Sequence, residues 1–294
     1  MNVKNTLGAS LLATFLVVPG ISAANNITNT PSDNADLMPH TSIPVSIHNG
    51  FLVVAVGQIG GQKQNFILDT GTAPSILNTR LAKKFHLPVT AAPLIAAGKK
   101  IESGQVLVHE LSLGPITIPA LQMNVIDLSQ WEKSLGVEIA GLLGMDVLAR
   151  ASFRLDYDKS ELQFGNVADE GIPVSYNNST GLALADAVLQ GRPVRLIVDT
   201  GSDLVVVYGD HWQSGAPAAQ PSPAKQGTSV AEQLPARPIP QPEMQLGGQQ
   251  FRGARTYYLP TSTATGYDGF FGVRALKLRA ISFNHHSQIL YLQN

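Results

Sequence analysis

Two hexapeptides, FILDTG at residues 66–71 and LIVDTG at residues 196–201, decide how this sequence is interpreted. In each, a short apolar run typical of a buried strand is followed by residues that are common in turns. One copy would indicate only a strand that ends in a turn. Two copies in a chain of 294 residues indicate that the same structural unit occurs twice.

The rest of the chain repeats in the same order as these hexapeptides. Three further pairs correspond: residues 43–46 and 172–175, both IPVS; residues 140–144 and 268–272, AGLLG and DGFFG; and residues 155–164 and 283–292. The offset between the copies is nearly constant at about 129 residues, too long for a solenoid unit. We interpret this as an internal duplication that gives two similar domains, residues 41–168 and 169–294.

The local pattern within each copy is that of strands and tight turns. Gly60-Gly61 and Gln190-Gly191 each separate two apolar runs, which predicts β-hairpins. Helix signals are few, the clearest being a short segment capped at Asn78 or Thr79. The sequence therefore predicts an all-β fold with two lobes related by a pseudo-twofold axis.

Composition excludes several functional classes. The chain has 20 basic and 21 acidic residues and therefore no electrostatic footprint for nucleic acid. It has no cysteine, which excludes disulfides, thiol catalysis and cysteine-ligated metal. A nucleophile in this protein must be an oxygen-bearing side chain or water.

The N-terminus has the pattern of a secretory signal peptide. Lys4 precedes an apolar run at residues 11–18, and small residues offer cleavage after Ala23 or Ala24. We predict a signal peptide at residues 1–23 and a periplasmic or secreted mature protein, with no membrane span after cleavage. The alternative is an uncleaved anchor, for which the apolar run is short.

Two segments are predicted to lack regular packing. Residues 24–40 are polar and turn-rich, as expected of a flexible leader. Residues 213–245 hold seven of the 19 prolines and interrupt the second copy, which predicts an extended or disordered insertion. This insertion is either a passive loop or an arm over a cleft.

The duplication gives the two aspartates of the hexapeptides a chemical meaning. A pseudo-twofold axis can bring Asp69 and Asp199 together at the interface between the lobes, a favoured place for a ligand cleft. Two carboxyl groups about 3 Å apart cannot both ionise, so they share one proton and titrate as a pair. One can then act as a base while the other acts as an acid.

At this point the sequence resembles the aspartic proteases of the pepsin and retropepsin superfamily. DTGT at residues 69–72 and DTGS at residues 199–202 match the active-site loops of that family. Leu142-Leu143-Gly144 and Phe270-Phe271-Gly272 match the strands that pass behind those loops. The resemblance implies two retropepsin-like β-barrel lobes in a pepsin-like, bilobal arrangement.

The resemblance also implies a role for each loop residue. Asp69 and Asp199 would bind and activate the attacking water, and no metal or cofactor would be needed. The supporting positions would be Thr70 and Thr200, which reach the opposite loop, Gly71 and Gly201, which admit backbone N–H groups, and Thr72 and Ser202, which carry a hydroxyl beside the carboxylate. The implied protein is an exported, monomeric endopeptidase that acts on peptides or proteins.

Three features leave the functional interpretation open. The flap region, residues 90–110, contains no aromatic residue and has small residues at 96–98, closer to retropepsins than to pepsins. Asp203 is either a modifier of the carboxyl pair or, as we predict, a solvated turn residue. His285-His286 would point to opposite faces of a strand, which predicts surface residues and not a metal site.

Two alternatives to an endopeptidase follow from these features. One is a non-catalytic peptide-binding protein that retains the fold. The other is an interaction protein whose halves pair with another chain.

Overall fold

A computed structural model describes residues 17–18, 40–92, 94–96, 99–101, 103–209, 236–259 and 266–294. Several sequence predictions lie wholly or mostly outside these residues. They are the signal peptide 1–23, of which Val17 and Val18 are described, the leader 24–40, of which His40 is described, and residues 213–235 of the insertion.

Strands account for most of the regular structure in the described part of the chain. In the first half they are β1 Val17–Val18, β2 Thr41–His48, β3 Leu52–Ile59, β4 Gln62–Leu68, β5 Ile76–Asn78, β6 Thr90–Ala91, β7 Leu94–Ala96, β8 Lys99–Ile101, β9 Gly104–Leu113, β10 Ile116–Ile126, β11 Gly141–Leu143, β12 Phe153–Asp156 and β13 Glu161–Phe164. In the second half they are β14 Ile172–Asn177, β15 Leu184–Leu189, β16 Arg192–Asp199, β17 Val205–Tyr208, β18 Arg237–Pro238, β19 Glu243–Leu246, β20 Gln249–Arg252, β21 Thr256–Leu259, β22 Gly269–Gly272, β23 Ala280–Asn284 and β24 Ile289–Gln293.

The described helices are short. They are α1 Thr79–Lys84, α2 Ser129–Leu135, α3 Met145–Leu148 and a 3-10 helix, Arg274–Leu276. Helix α1 begins where the sequence predicted, because the Asn78 side chain accepts a hydrogen bond from the Arg80 N–H. The all-β prediction is confirmed.

The first lobe is built on a closed ring of six strands. Strand β3 pairs with β4, β4 with β11, β11 with β5, β5 with β10, β10 with β9, and β9 with β3 again. Strand β9 buries Val106 and Val108 and, after two exposed residues that change its inward face, Leu111 and Leu113. A separate three-stranded sheet contains β1, β7 and β8.

The second lobe repeats the strand pairings of the first lobe, except that one strand is divided in two. Strands β15, β16, β22, β17 and β21 follow one another as β3, β4, β11, β5 and β10 do, and β16–β22 is parallel like β4–β11. Where the first lobe has the continuous strand β10, residues 253–255 separate β20 from β21. The shared pattern agrees with two similar lobes, and the duplication stays an interpretation of the sequence.

A six-stranded sheet joins the lobes in the order β2, β13, β12, β23, β24, β14. The central pair, β12 and β23, comes from opposite halves, with Phe153 opposite Phe283. Their rings stack at a centroid distance of 4.5 Å. One apolar core runs through both lobes and this sheet, so each half is packed against the other.

The predicted C-terminal boundary of the insertion, residue 245, lies too far along the sequence. Residues 236–245 contain β18 and most of β19, and β19 pairs with β15. Met244 and Leu246 are buried while Glu243 and Gln245 are exposed, the alternation of a half-buried strand. The high proline content of the segment concealed this short period-two pattern, and residues 236–245 belong to the second lobe.

The predicted surface position of His285 is also wrong. Its side chain is 2% exposed, because the ring packs beside the rings of Phe153 and Phe283 where β12 and β23 pair. Its Nδ1 lies 2.5 Å from the Tyr176 hydroxyl, and the backbone of Leu148 is a second hydrogen-bond partner of the side chain. His286 is exposed, as predicted.

This burial predicts an acid-sensitive fold. Burial lowers the pKa of His285 from 6.5 to about 4. The unfolded chain therefore binds a proton more readily between these values, so stability is complete above pH 6.5 and falls as the pH drops towards 4. The loss should reach about 3 kcal/mol. Denaturant unfolding between pH 4 and 7 should show a flatter pH dependence for His285→Gln than for the wild type.

His286→Gln is the matched control for this experiment, since it removes an exposed imidazole next to the buried one. The free energy of unfolding of His286→Gln should keep the wild-type pH dependence. Parallel curves for His285→Gln and the wild type would contradict the assignment of this acid sensitivity to His285.

Candidate active site

The two predicted loops follow equivalent strands, and each is hydrogen-bonded to the segment behind it. The Asp69 N–H donates to Leu143 O of β11 at 3.0 Å, and the Val273 N–H, directly after β22, donates to Asp199 O at 3.0 Å. A side chain on the glycine that follows each apolar pair would collide with the loop in front of it. A Cβ at Gly144 would lie 2.1 Å from Thr72 O, and one at Gly272 would lie 2.2 Å from Ser202 O. The LLG and FFG segments therefore pass behind the loops in backbone contact.

Thr70 and Thr200 connect the two loops through four hydrogen bonds. Thr70 Oγ1 donates to Val198 O at 2.7 Å, and Thr200 Oγ1 donates to Leu68 O at 2.9 Å. Each hydroxyl also accepts from the other threonine's N–H, at 3.0 and 3.1 Å. This symmetric set, buried at the lobe interface, fixes the position of one loop relative to the other.

The carboxyl groups of Asp69 and Asp199 meet at this interface and hydrogen-bond each other. The Gly71 N–H donates to Asp69 Oδ1 at 2.9 Å, and the Gly201 N–H donates to Asp199 Oδ1 at 2.8 Å. A Cβ on Gly201 would lie 2.8 Å from Asp69 Cγ. The second loop thus packs directly against the first carboxyl group, which leaves room for glycine alone.

Electrostatics favour a shared proton in this pair. Asp69 is 1% exposed and Asp199 is fully buried. Burial raises the pKa of Asp69, while hydrogen bonds from Thr72, Gly71 and Asp199 lower it. Two adjacent carboxyl groups with little access to solvent cannot carry two negative charges, so the arrangement can hold one proton between an acid and a base.

Residues 55–147 match the aspartyl protease family model. The matched range contains the first loop and β11 but not Asp199 or β22. This match supports the aspartic protease superfamily and a protease-type hydrolase. A comparison with curated proteins found no match.

The fourth residue of each loop, Thr72 and Ser202, carries a buried hydroxyl, but the two hydroxyls make different contacts. Thr72 Oγ1 donates to Asp69 Oδ2 at 2.8 Å. Ser202 Oγ accepts from the Leu204 N–H at 3.1 Å. The carboxyl group of Asp69 is therefore held at both oxygens by its own loop.

Asp203 is not the solvated turn residue that the sequence predicted. Its carboxyl group forms an ion pair with Arg255 and is 17% exposed. Burial raises the pKa of Asp203, and the Arg255 cation lowers it. Arg255 lies 52 positions away on the β20–β21 connection, and nothing in the local sequence indicated this partner.

Two further polar groups next to the loops were also missed. Asp146 in α3 accepts from the Ser75 N–H at 2.9 Å and from the Ser75 hydroxyl at 2.5 Å, and the Ser75 Oγ accepts from the Gly144 N–H. On the other lobe, the Arg274 guanidinium lies 5.1 Å from the centroid of the buried Tyr157 ring. In each half a charged residue stands two positions after the LLG or FFG segment. This shared position is the sequence signal that could have identified Asp146 and Arg274.

The predicted flap is described in part. Strands β6 and β9 form its base, and the backbones of β7 and β8 pair as a hairpin. Ala97 and Gly98, the predicted small-residue tip, lie outside the described residues. Within the described ranges no cluster of three or more histidine and acidic side chains could hold a metal ion, and none of the described helices has the length and apolarity of a membrane span.

Proposed function

We propose that this chain is an exported aspartic endopeptidase that hydrolyses peptides or proteins as a monomer. The observation that carries the proposal is the buried, hydrogen-bonded pair of Asp69 and Asp199, held by symmetric contacts between Thr70 and Thr200. Both carboxyl groups come from one chain, which supports a monomer. Residues 1–23 support export to the periplasm or the medium.

The pair can supply both proton transfers of peptide hydrolysis. The ionised carboxylate removes a proton from water as the water oxygen attacks the peptide carbonyl carbon, and the protonated carboxyl group gives its proton to the carbonyl oxygen. The tetrahedral intermediate then breaks its C–N bond. The carboxyl group that took up the water proton delivers it to the leaving nitrogen, and the other carboxylate recovers a proton from a hydroxyl of the intermediate.

The loops lower the reorganisation energy of these proton transfers. Gly71 N–H, Thr72 Oγ1 and Gly201 N–H already point at the carboxyl oxygens, so these dipoles need no rearrangement when charge moves between the two groups. Close packing of Gly201 against Asp69 fixes the spacing of the pair.

The second candidate is a non-catalytic peptide-binding protein, and one observation favours it. Asp69 is 1% exposed and Asp199 is 0% exposed, so substrate has to gain access to the pair. A protein whose cleft does not open to this depth would bind peptides and leave them intact.

Cleavage of a denatured protein between pH 3 and 7 should distinguish the two functions. An endopeptidase should give pepstatin-sensitive fragments, and mass spectrometry of products from a peptide library should define the preferred bond. The Asp69→Asn variant, purified in the same way, controls for contaminating proteases. Peptide binding without cleavage at any pH would support the second candidate and contradict the first.

A further inference from the structure

The segments behind the two loops carry opposite charges at equivalent positions. Each supporting strand ends in a glycine, and the second residue after that glycine is Asp146 in the first lobe and Arg274 in the second. The loops differ in one contact, because the Thr72 hydroxyl bonds Asp69 Oδ2, and that hydroxyl can turn to accept when Asp69 carries the proton. The opposite charges behind the loops are a second electrostatic difference between the two sides of the carboxyl pair.

On the first lobe, the acid is enclosed in its own polar network. Asp146 accepts two hydrogen bonds from Ser75, and burial raises its pKa while those bonds and the Arg150 cation lower it. The positive charge of Arg150, whose Nε donates to Asp146 O, is therefore offset by an adjacent acid on the side of Asp69.

On the second lobe, the backbone of Arg274 lies near that of Asp199. Gly272 is the register partner of Asp199 across β16 and β22, and the Val273 N–H donates to Asp199 O. Arg274 is the next residue along the chain. Since neighbouring strands are about 5 Å apart, its backbone is within about 10 Å of Asp199.

The Arg274 side chain is held in place by both halves of the chain. Its Nε donates to Gly50 O at 3.0 Å, and its Nη1 donates to Leu278 O. The guanidinium covers the ring of Tyr157, whose hydroxyl is buried without a hydrogen-bond partner among the described residues. Burial raises the pKa of the Tyr157 hydroxyl, the Arg274 cation lowers it, and the Asp199 carboxylate raises it. The fields of Arg274 and Asp199 therefore act at the same point.

We propose that Arg274 is a positioning residue that holds the negative charge of the pair on Asp199 and leaves the shared proton on Asp69. An arginine stays protonated throughout the working range. Arg274 is half-buried and Asp199 is buried, so solvent screens their attraction less than it would screen a pair of exposed charges. Asp199 is then the base that takes the proton from water, and Asp69 is the acid that protonates the carbonyl oxygen. This assignment rests on the proposed function.

The other ionisable groups around the pair do not reverse this bias. Tyr208 of β17 senses the charge of Asp199, and burial keeps its phenol neutral by raising the pKa. Asp203 carries a negative charge on the same lobe, which Arg255 compensates in an ion pair. Tyr157 is neutral for the same reason as Tyr208.

A carboxyl-carbon NMR titration tests the assignment without requiring hydrolysis. In protein labelled at the aspartate carboxyl carbons, the Asp69 and Asp199 signals are identified from their loss in Asp69→Asn and Asp199→Asn. At a pH where the pair holds one proton, Asp69 should show the shift of a protonated carboxyl group and Asp199 that of a carboxylate. The opposite assignment would overturn the proposal.

Arg274→Gln then tests the cause. Without the cation, protonation of the carboxylate that remains ionised in the singly protonated pair should move up by about half a pH unit or more, and the two signals should become more alike. Arg274→Lys keeps the charge while disturbing the contacts with Gly50 and Leu278, so it should retain the wild-type titration. Arg279→Gln removes an arginine from an exposed ion pair with Asp158 and should also leave it unchanged.

The same shift should appear in kinetics if the proposed function is correct. The acid limb of kcat/KM reports protonation of the ionised carboxylate, so it should move to higher pH in Arg274→Gln and stay in place in Arg274→Lys. Equal titrations and equal acid limbs for Arg274→Gln and the wild type would show that Arg274 is purely structural. If the wild type cleaves no peptide, the proposed function is wrong, and the NMR titration still decides the role of Arg274.

Discussion

Asp69→Asn and Asp199→Asn are each expected to lower kcat/KM for peptide hydrolysis by at least about 100-fold. An amide has nearly the shape of a carboxylate but cannot take up or release the shared proton. Because one proton serves both groups, the double variant should be little worse than either single variant. Initial rates on one peptide across pH 3 to 7 measure all three effects.

The fold should survive these substitutions. Asp69 accepts from the Gly71 N–H at Oδ1 and from the Thr72 hydroxyl at Oδ2. In Asp69→Asn the new NH₂ group can face Thr72, because a hydroxyl can turn to accept where a backbone N–H cannot. Melting temperatures close to the wild type are therefore expected.

Asp186→Asn is the control, since this carboxyl group lies in an exposed ion pair with Arg195. Its activity should equal that of the wild type. Retention of more than about a tenth of kcat/KM by either active-site variant, a loss below about 1.4 kcal/mol in the barrier, would show that Asp69 and Asp199 are not the catalytic pair.

The part of the fold that the sequence predicted depends on local patterns. The Gly60-Gly61 and Gln190-Gly191 turns have positive φ at all four residues and close the predicted hairpins. A turn of this kind needs residues that tolerate left-handed backbone, and the sequence shows them directly. The two loop motifs were equally visible because each follows an apolar strand at a matching point of the repeat.

The contacts that the sequence did not predict join residues far apart in the chain. Asp146 bonds Ser75, 71 positions away, and Asp203 pairs with Arg255, 52 positions away. In the sequence, Asp146, Asp203 and Arg255 each resemble an ordinary surface charge. His285 differs in that its inward position depends on the register between β12 and β23, which local periodicity cannot specify.

The second large effect is expected from Gly201→Ala, which should lower kcat/KM by at least about 100-fold while the chain still folds. The new Cβ would lie 2.8 Å from Asp69 Cγ and within 3.0 Å of both carboxyl oxygens. Asp69 cannot move aside freely, because Gly71 and Thr72 hold its two oxygens. The methyl group must therefore push the loops apart, and overpacking of this kind costs about 1–3 kcal/mol of stability.

Gly191→Ala separates this effect from a general loss of stability. Gly191 has φ +75° in a hairpin turn, and no atom lies within 4 Å of the point that a Cβ would occupy there. Alanine at this position therefore strains the backbone by about 1 kcal/mol without touching the pair. Measured well below both melting temperatures, Gly191→Ala should keep wild-type kcat/KM and Gly201→Ala should not. Equal activity in the two variants would mean that the second loop does not pack against Asp69, and the carboxyl pair would lose its structural basis.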